Sequence, residues 1–142
     1  MARALTIMKW VAIFMVALLL LVILFWKPIL RFAFHDLPFM GKSFDSAVWS
    51  SALSCKNDQD CLEKEMACLR GPMYRDLEQN HLIVGASKAT VARLIGEPTL
   101  TTQNNCFDYE LGYCSGLKID TDYLRVCFDS SEKVTNVYHW QS

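Results

Sequence analysis

The sequence predicts an α+β protein: an N-terminal transmembrane helix, then a small two-layer domain with two or three short helices packed on a three-stranded antiparallel sheet. Three observations carry this. Trp10 to Trp26 is a run of 17 residues without a charge, an amide or a glycine. Helix start and stop signals frame the middle of the chain, and after Pro98 the hydrophobic period changes to two. All six cysteines lie beyond the apolar run, as in a small domain stapled by disulfides.

The apolar run comes first. At 1.5 Å per residue it rises about 25 Å, the short end of what spans a bilayer. Lys9 and Lys27 fence it, and their heads can snorkel to the lipid headgroups, where the two terminal tryptophans also sit well. A cleaved signal peptide has a shorter core of about 7–15 residues and a small-residue cleavage site, whereas this run continues into Phe-Trp-Lys-Pro. Lipidation needs a cysteine just after the core, and the first is Cys55. An uncleaved single-pass anchor is therefore expected. The chain divides into 1–9, a cytoplasmic N-terminus; 10–26, the anchor; 27–58, a juxtamembrane segment and linker that is basic and aromatic in its first part; and 59–142, the folded domain.

Charge leaves the orientation close to a tie, with Arg3 and Lys9 before the helix and Lys27, Arg31 and Lys42 after it. The cysteines tilt it. Cys55, Cys61, Cys68, Cys106, Cys114 and Cys127 form an even set without a C-x2-C pair, which fits zinc poorly and a disulfide framework well. The carboxyl-terminal part then lies on the oxidising side, outside. Residues 1–42 hold five Lys/Arg against one Asp, and residues 43–142 hold nine against fourteen Asp/Glu. The basic end suits anionic headgroups. The acidic remainder argues against a nucleic-acid partner, which selects clustered Lys/Arg.

The elements come in order along the chain. Residues 43–59 show no clear periodicity. Asp58 and Asp60 at the start and Gly71-Pro72 at the end frame a short helix through Cys61 and Cys68. Those two cysteines are about 10 Å apart along a straight helix axis and cannot bond to each other, so each needs a partner in a loop or the sheet. Met73 to Asn80 reads as another helical stretch. Ser87 caps a helix whose stripe is Val91, Leu94 and Ile95 and which stops at Gly96, with Pro98 beyond. Thr99 to Thr102 is a further strand or a connector. Phe107, Tyr109, Leu111 and Tyr113 alternate with Asp108 and Glu110. Leu124, Val126 and Phe128 alternate with Tyr123, Arg125, Cys127 and Asp129, and Val134 to Trp140 returns after a turn at 130–133. Cys106 and Cys127 could meet across adjacent strands, but fifteen pairings are open.

Several of these segments together resemble a known family. Ile83-Val84-Gly85-Ala86-Ser87-Lys88-Ala89-Thr90-Val91 looks like the helix entry of the BamE family, also called SmpA/OmlA. Leu94-Ile95-Gly96-Glu97-Pro98 is similar to its Leu-Gly-x-Pro exit. Phe107-Asp108-Tyr109 stands where the family has an aromatic strand, and Leu124 to Ser131 with Lys133 to Val137 resembles its closing hairpin. The resemblance spans roughly residues 82–138. It implies a small non-enzymatic periplasmic domain of two helices on a three-stranded sheet, which binds protein partners or lipid at a membrane, as in outer-membrane assembly. Family members of that kind are outer-membrane lipoproteins, whereas this chain has no lipobox and carries an inner-membrane type of anchor.

The same residues read without the family point away from chemistry. His35, His81 and His139 are scattered over different elements, as packed or solvated histidines are, and no phosphate loop, nucleophile elbow or zinc-protease helix is present. Asp108 with Glu110, and Asp120 with Asp122, read as solvated faces rather than acid/base pairs. No cofactor and no metal are expected. Tyr138 and Trp140 are candidate partner contacts, or else sheet packing. The expected function is a membrane-anchored envelope scaffold of the inner membrane, with an unidentified envelope protein as partner. The alternatives are a thiol-dependent redox or metal-binding protein using Cys61, Cys68, Cys106 or Cys114, and an inhibitor of a periplasmic enzyme.

Overall fold

The computed structural model describes residues 2–102 and 104–142. The chain forms two units, Met1–Ala33 and Phe34–Ser142. The first is the helix α1, Ala2–Arg31, longer at both ends than the expected 10–26. Lysine is a good helix former, so Lys9 and Lys27 do not end it. Pro28 lies inside the last turns, where it withholds one amide from the ladder. The side chains from Trp10 to Trp26 are all exposed, and this is the one helix among the described residues long and apolar enough to cross a membrane.

The second unit begins well before residue 59. A 3-10 turn at Leu37–Phe39 buries Phe39, and the helix α2, Ser46–Ser51, buries Trp49. The segment expected to be juxtamembrane chain and linker thus supplies two core aromatics. Six residues are too few to show a helical period, but the start is written locally: the Asp45 carboxylate accepts from the amides of Ala47 at 2.8 Å and Val48 at 3.1 Å, satisfying amides that the helix itself leaves unpaired.

The helix α3, Asp58–Ala67, starts on Asn57 and ends with Cys68 in the left-handed region, φ 49°. Gly71–Met73 (3-10), the single α turn α4 at Tyr74–Asp76 and the π turn Leu77–His81 come next as one run of changing pitch. The helix α5, Lys88–Ile95, has the expected cap, with Ser87 Oγ accepting from the Thr90 amide at 3.1 Å. Gly85 before it has φ +90° and Gly96 after it φ +86°, conformations in which a side chain would clash with its own backbone.

The sheet has four strands, not three, in the order β1-β2-β3-β4, all antiparallel. They are β1, Leu100–Thr101; β2, Cys106–Gly112; β3, Asp122–Phe128; and β4, Val134–Gln141. The extra strand is only two residues long and both are exposed, so no alternation marks it in the sequence. One sheet face carries Tyr109, Leu111, Leu124 and Val126 into the core, against Val91 and Ile95 of α5, Leu77, Met73, Tyr74, Trp49 and Phe39.

Three disulfides hold the unit: Cys55–Cys61, Cys68–Cys114 and Cys106–Cys127. Cys61 finds its partner in the loop before α3 and Cys68 finds its partner beyond β2. Cys106 and Cys127 face each other across β2 and β3. Gly71 and Gly112 let α3 close on the sheet. A Cβ on Gly71 would overlap the Cys68 and Cys114 sulfurs, and one on Gly112 (φ +98°) would stand 2.5 Å from the Glu65 carbonyl oxygen.

Candidate functional site

Cleft residues come from three places in the chain. Phe34–Phe39 supplies His35, Asp36 and Phe39; the start of the mixed helical run supplies Tyr74 and Arg75; and β4 supplies Tyr138 and His139. Together they line a cleft of about 270 Å³.

Behind His139 stands a buried carboxylate. Asp122, at the start of β3, has no exposed surface. Its Oδ2 accepts from the Cys114 amide at 2.8 Å and the Ser115 amide at 2.7 Å, and its Oδ1 accepts from Ser115 Oγ at 2.6 Å. Oδ1 also lies 2.7 Å from His139 Nε2. Burial pushes this carboxyl up, but the bonds from His139, Ser115 and Cys114 outweigh burial and hold it below the usual carboxylate range. An ionised carboxylate only accepts, so Nε2 of His139 carries the proton. Nδ1 is the ring's remaining polar atom.

His139 is oriented further by aromatic packing. Its ring centroid lies 4.2 Å from Phe39 and 6.0 Å from Tyr74. The Tyr74 hydroxyl donates to Glu78 at 2.8 Å, and burial first, then Glu78, pushes the phenol up. Arg75 gives Glu78 one bond, at 3.4 Å, so most of its five donors are unspent. Ser115 gives its proton to Asp122 and not to His139, which is not the order of a serine–histidine–aspartate relay. The arrangement presents the Arg75 guanidinium as a donor beside the fixed Nδ1 acceptor of His139.

The outer sheet face behaves differently from the solvated face expected. Asp108 is buried, and Arg125 grips it with two bonds of 2.6 Å. The Arg125 guanidinium lies 4.4 Å from the Trp140 ring, which also stacks on Tyr123 at 4.9 Å and 16°. Trp140 is thus packed within the fold, while Tyr138 reaches the cleft.

Sequence reasoning singled out Tyr138 and Trp140, and the structure places Tyr138 at the cleft and Trp140 against Tyr123 and Arg125. It treated His35 and His139 as scattered, and the structure brings them to one cleft. It read Asp108 and Asp122 as solvated, and both are buried because each meets its donors only after the strands pair. Phe39, Tyr74 and Arg75 were missed. The one available signal was the period of β4, which places His139 on the same face as Val137. His81 pairs with Asp76 at 3.2 Å, away from the cleft lining. All six cysteines are bonded, and no group of three metal-ligating side chains occurs among the described residues.

Fold and site together define a class: a disulfide-bonded α+β unit preceded by a helix of membrane-spanning length and apolarity. Comparison with protein-family models, curated proteins and solved structures found no match to this chain.

Proposed function

We propose that this protein is a single-pass, inner-membrane envelope scaffold whose Phe34–Ser142 unit stands in the periplasm and binds a protein partner. The observation that carries the reading is the pairing of all six cysteines in a chain that begins with a membrane-length apolar helix. Stable disulfides belong to oxidising compartments, and a helix of that length anchors the unit attached to it. The ordered resemblance of residues 82–138 to the BamE family supports a binding role at a membrane over an enzymatic one, and links the chain to outer-membrane assembly or envelope maintenance.

The test has two readouts. Free thiols are blocked as cells are lysed, and linked peptides are mapped without reduction. The expected result is the three pairs Cys55–Cys61, Cys68–Cys114 and Cys106–Cys127, and six free thiols would reverse the topology. A photo-crosslinking residue at position 138 should then capture an envelope protein, with a crosslinker at exposed Thr135 as the comparison. Equal or absent capture at both positions would remove the scaffold role from this surface.

A further inference from the structure

We propose that the cleft between β4 and the His35–Phe39 segment is a binding site for a phosphate group. The site rests on the cleft's own geometry, and only its lipid source rests on the membrane anchor of the scaffold reading. Two side chains that bring nitrogen donors to it are Arg75 and His35, and Nδ1 of His139 stands beside them. Asp36 is the one carboxylate among the lining residues. Two further carboxylates stand behind the lining and set its polarity. Asp122 takes Nε2 of His139 and leaves Nδ1. Glu78 takes one weak bond from Arg75 and leaves that guanidinium, 40% exposed, able to give a forked pair of bonds to an oxyanion. Phe39 and Tyr74 are buried and fix the wall.

A volume of about 270 Å³ admits a tetrahedral oxyanion with several waters, each of which takes about 30 Å³ in the liquid. A carboxylate would use the Arg75 fork alone. A phosphate, with more acceptor oxygens, uses the fork and a His35 N–H together, and a P–OH, where the phosphate has one, can donate to Nδ1 of His139. His35 is the fourth residue after Arg31, the last of α1. That length of chain is a short tether, so a lipid headgroup is one source of the phosphate and a free phosphate is the other.

The experiment uses the full chain in a maltoside detergent, which has no phosphate. Imidazole carbon and proton resonances are followed at constant ionic strength during titration with inorganic phosphate, and separately with a short-chain phosphatidylglycerol. Saturable movement of the His35 and His139 signals, with His81 unmoved, is expected. Arg75→Gln should weaken binding at least about tenfold, since it removes the charge-assisted fork. Arg75→Lys should keep part of it, and Asp36→Asn should tighten it. Saturation by both probes supports the site and makes the phosphate itself the ligand. Saturation by the lipid alone supports it with the headgroup as source. No saturation by either probe, or an Arg75→Gln protein that binds as the unaltered chain does, overturns it. Near-ultraviolet circular dichroism identifies a variant that has failed to fold, and the Asp36→Asn result then decides.

Discussion

Two buried carboxylates, Asp108 and Asp122, are held in different ways, and each gives a prediction. Asp108 has one partner, the Arg125 fork. Removing Arg125 leaves a buried charge unmatched, which costs about 3–5 kcal/mol, at the lower end here because Arg125 is itself partly exposed. Arg125→Met should therefore lower stability by about 3 kcal/mol in chemical denaturation. Replacing Asp108 by Leu in the same chain should restore much of it. Asp122 instead has four donors. Its folded value lies below the ordinary 3.8, so the stability it contributes is complete above that ordinary value. It is lost as pH falls through the folded one. Thermal unfolding followed from pH 6 downward should show Tm falling in the acid range below about pH 4, with a smaller slope in Asp122→Asn. Neither behaviour is legible in the linear sequence, because an acid beside a loop and an acid in an alternating strand both look solvated until their partners are placed.

At the scale of the element, local signals and tertiary packing divide the work. Ser87 and Gly96 define α5 from neighbouring residues alone, and the helix begins and ends where they stand. The helix α2 is too short to be stable by propensity; Trp49 holds it in place. Its ring is fully buried, its Nε1 donates to the Ile95 carbonyl at 2.9 Å, and Arg70 lies 4.5 Å over it. Arg70 also donates to the Trp49 carbonyl at 2.9 Å and the Glu110 carbonyl at 3.0 Å, and burial, partly offset by Glu110, pulls its guanidinium down to about 10. Trp49→Ala should cost about 3–5 kcal/mol through the cavity left behind. Trp49→Phe should cost about 1–3 kcal/mol, the penalty of an unpaired buried carbonyl at Ile95. Unfolding monitored by far-ultraviolet circular dichroism separates the two.

For the whole molecule, the disulfides matter by how far apart in sequence they reach. The separations are 6, 21 and 46 residues for Cys55–Cys61, Cys106–Cys127 and Cys68–Cys114. Loop-closure entropy then ranks their contributions at about 2, 3 and 4 kcal/mol. Paired Cys→Ala replacements should fall in that order in denaturant midpoint, and an inverted order would mean that packing around Gly71 and Gly112, not chain entropy, governs the effect. The Cys68–Cys114 link joins the end of α3 to the chain just past β2, at the two amides that hold Asp122. Its loss should therefore also flatten the acid-induced fall in Tm, because Asp122 then loses part of what holds its folded value down.

The sequence by itself determined the apolar helix, the caps of α5, the turn glycines and the strands β2 to β4, because each is specified by residues within a few positions of one another. It also excluded a bond between Cys61 and Cys68 on one straight helix, without choosing among the other pairings. Only the tertiary structure decided the fourth strand, the inclusion of Phe39 and Trp49 in the core, the chosen disulfides and the cleft. Each of these depends on groups from distant parts of the chain meeting. His35, Arg75 and His139 are ordinary surface residues in the sequence. They become a site because sheet pairing, the Cys68–Cys114 link and the burial of Phe39 and Tyr74 bring three separate segments to one place.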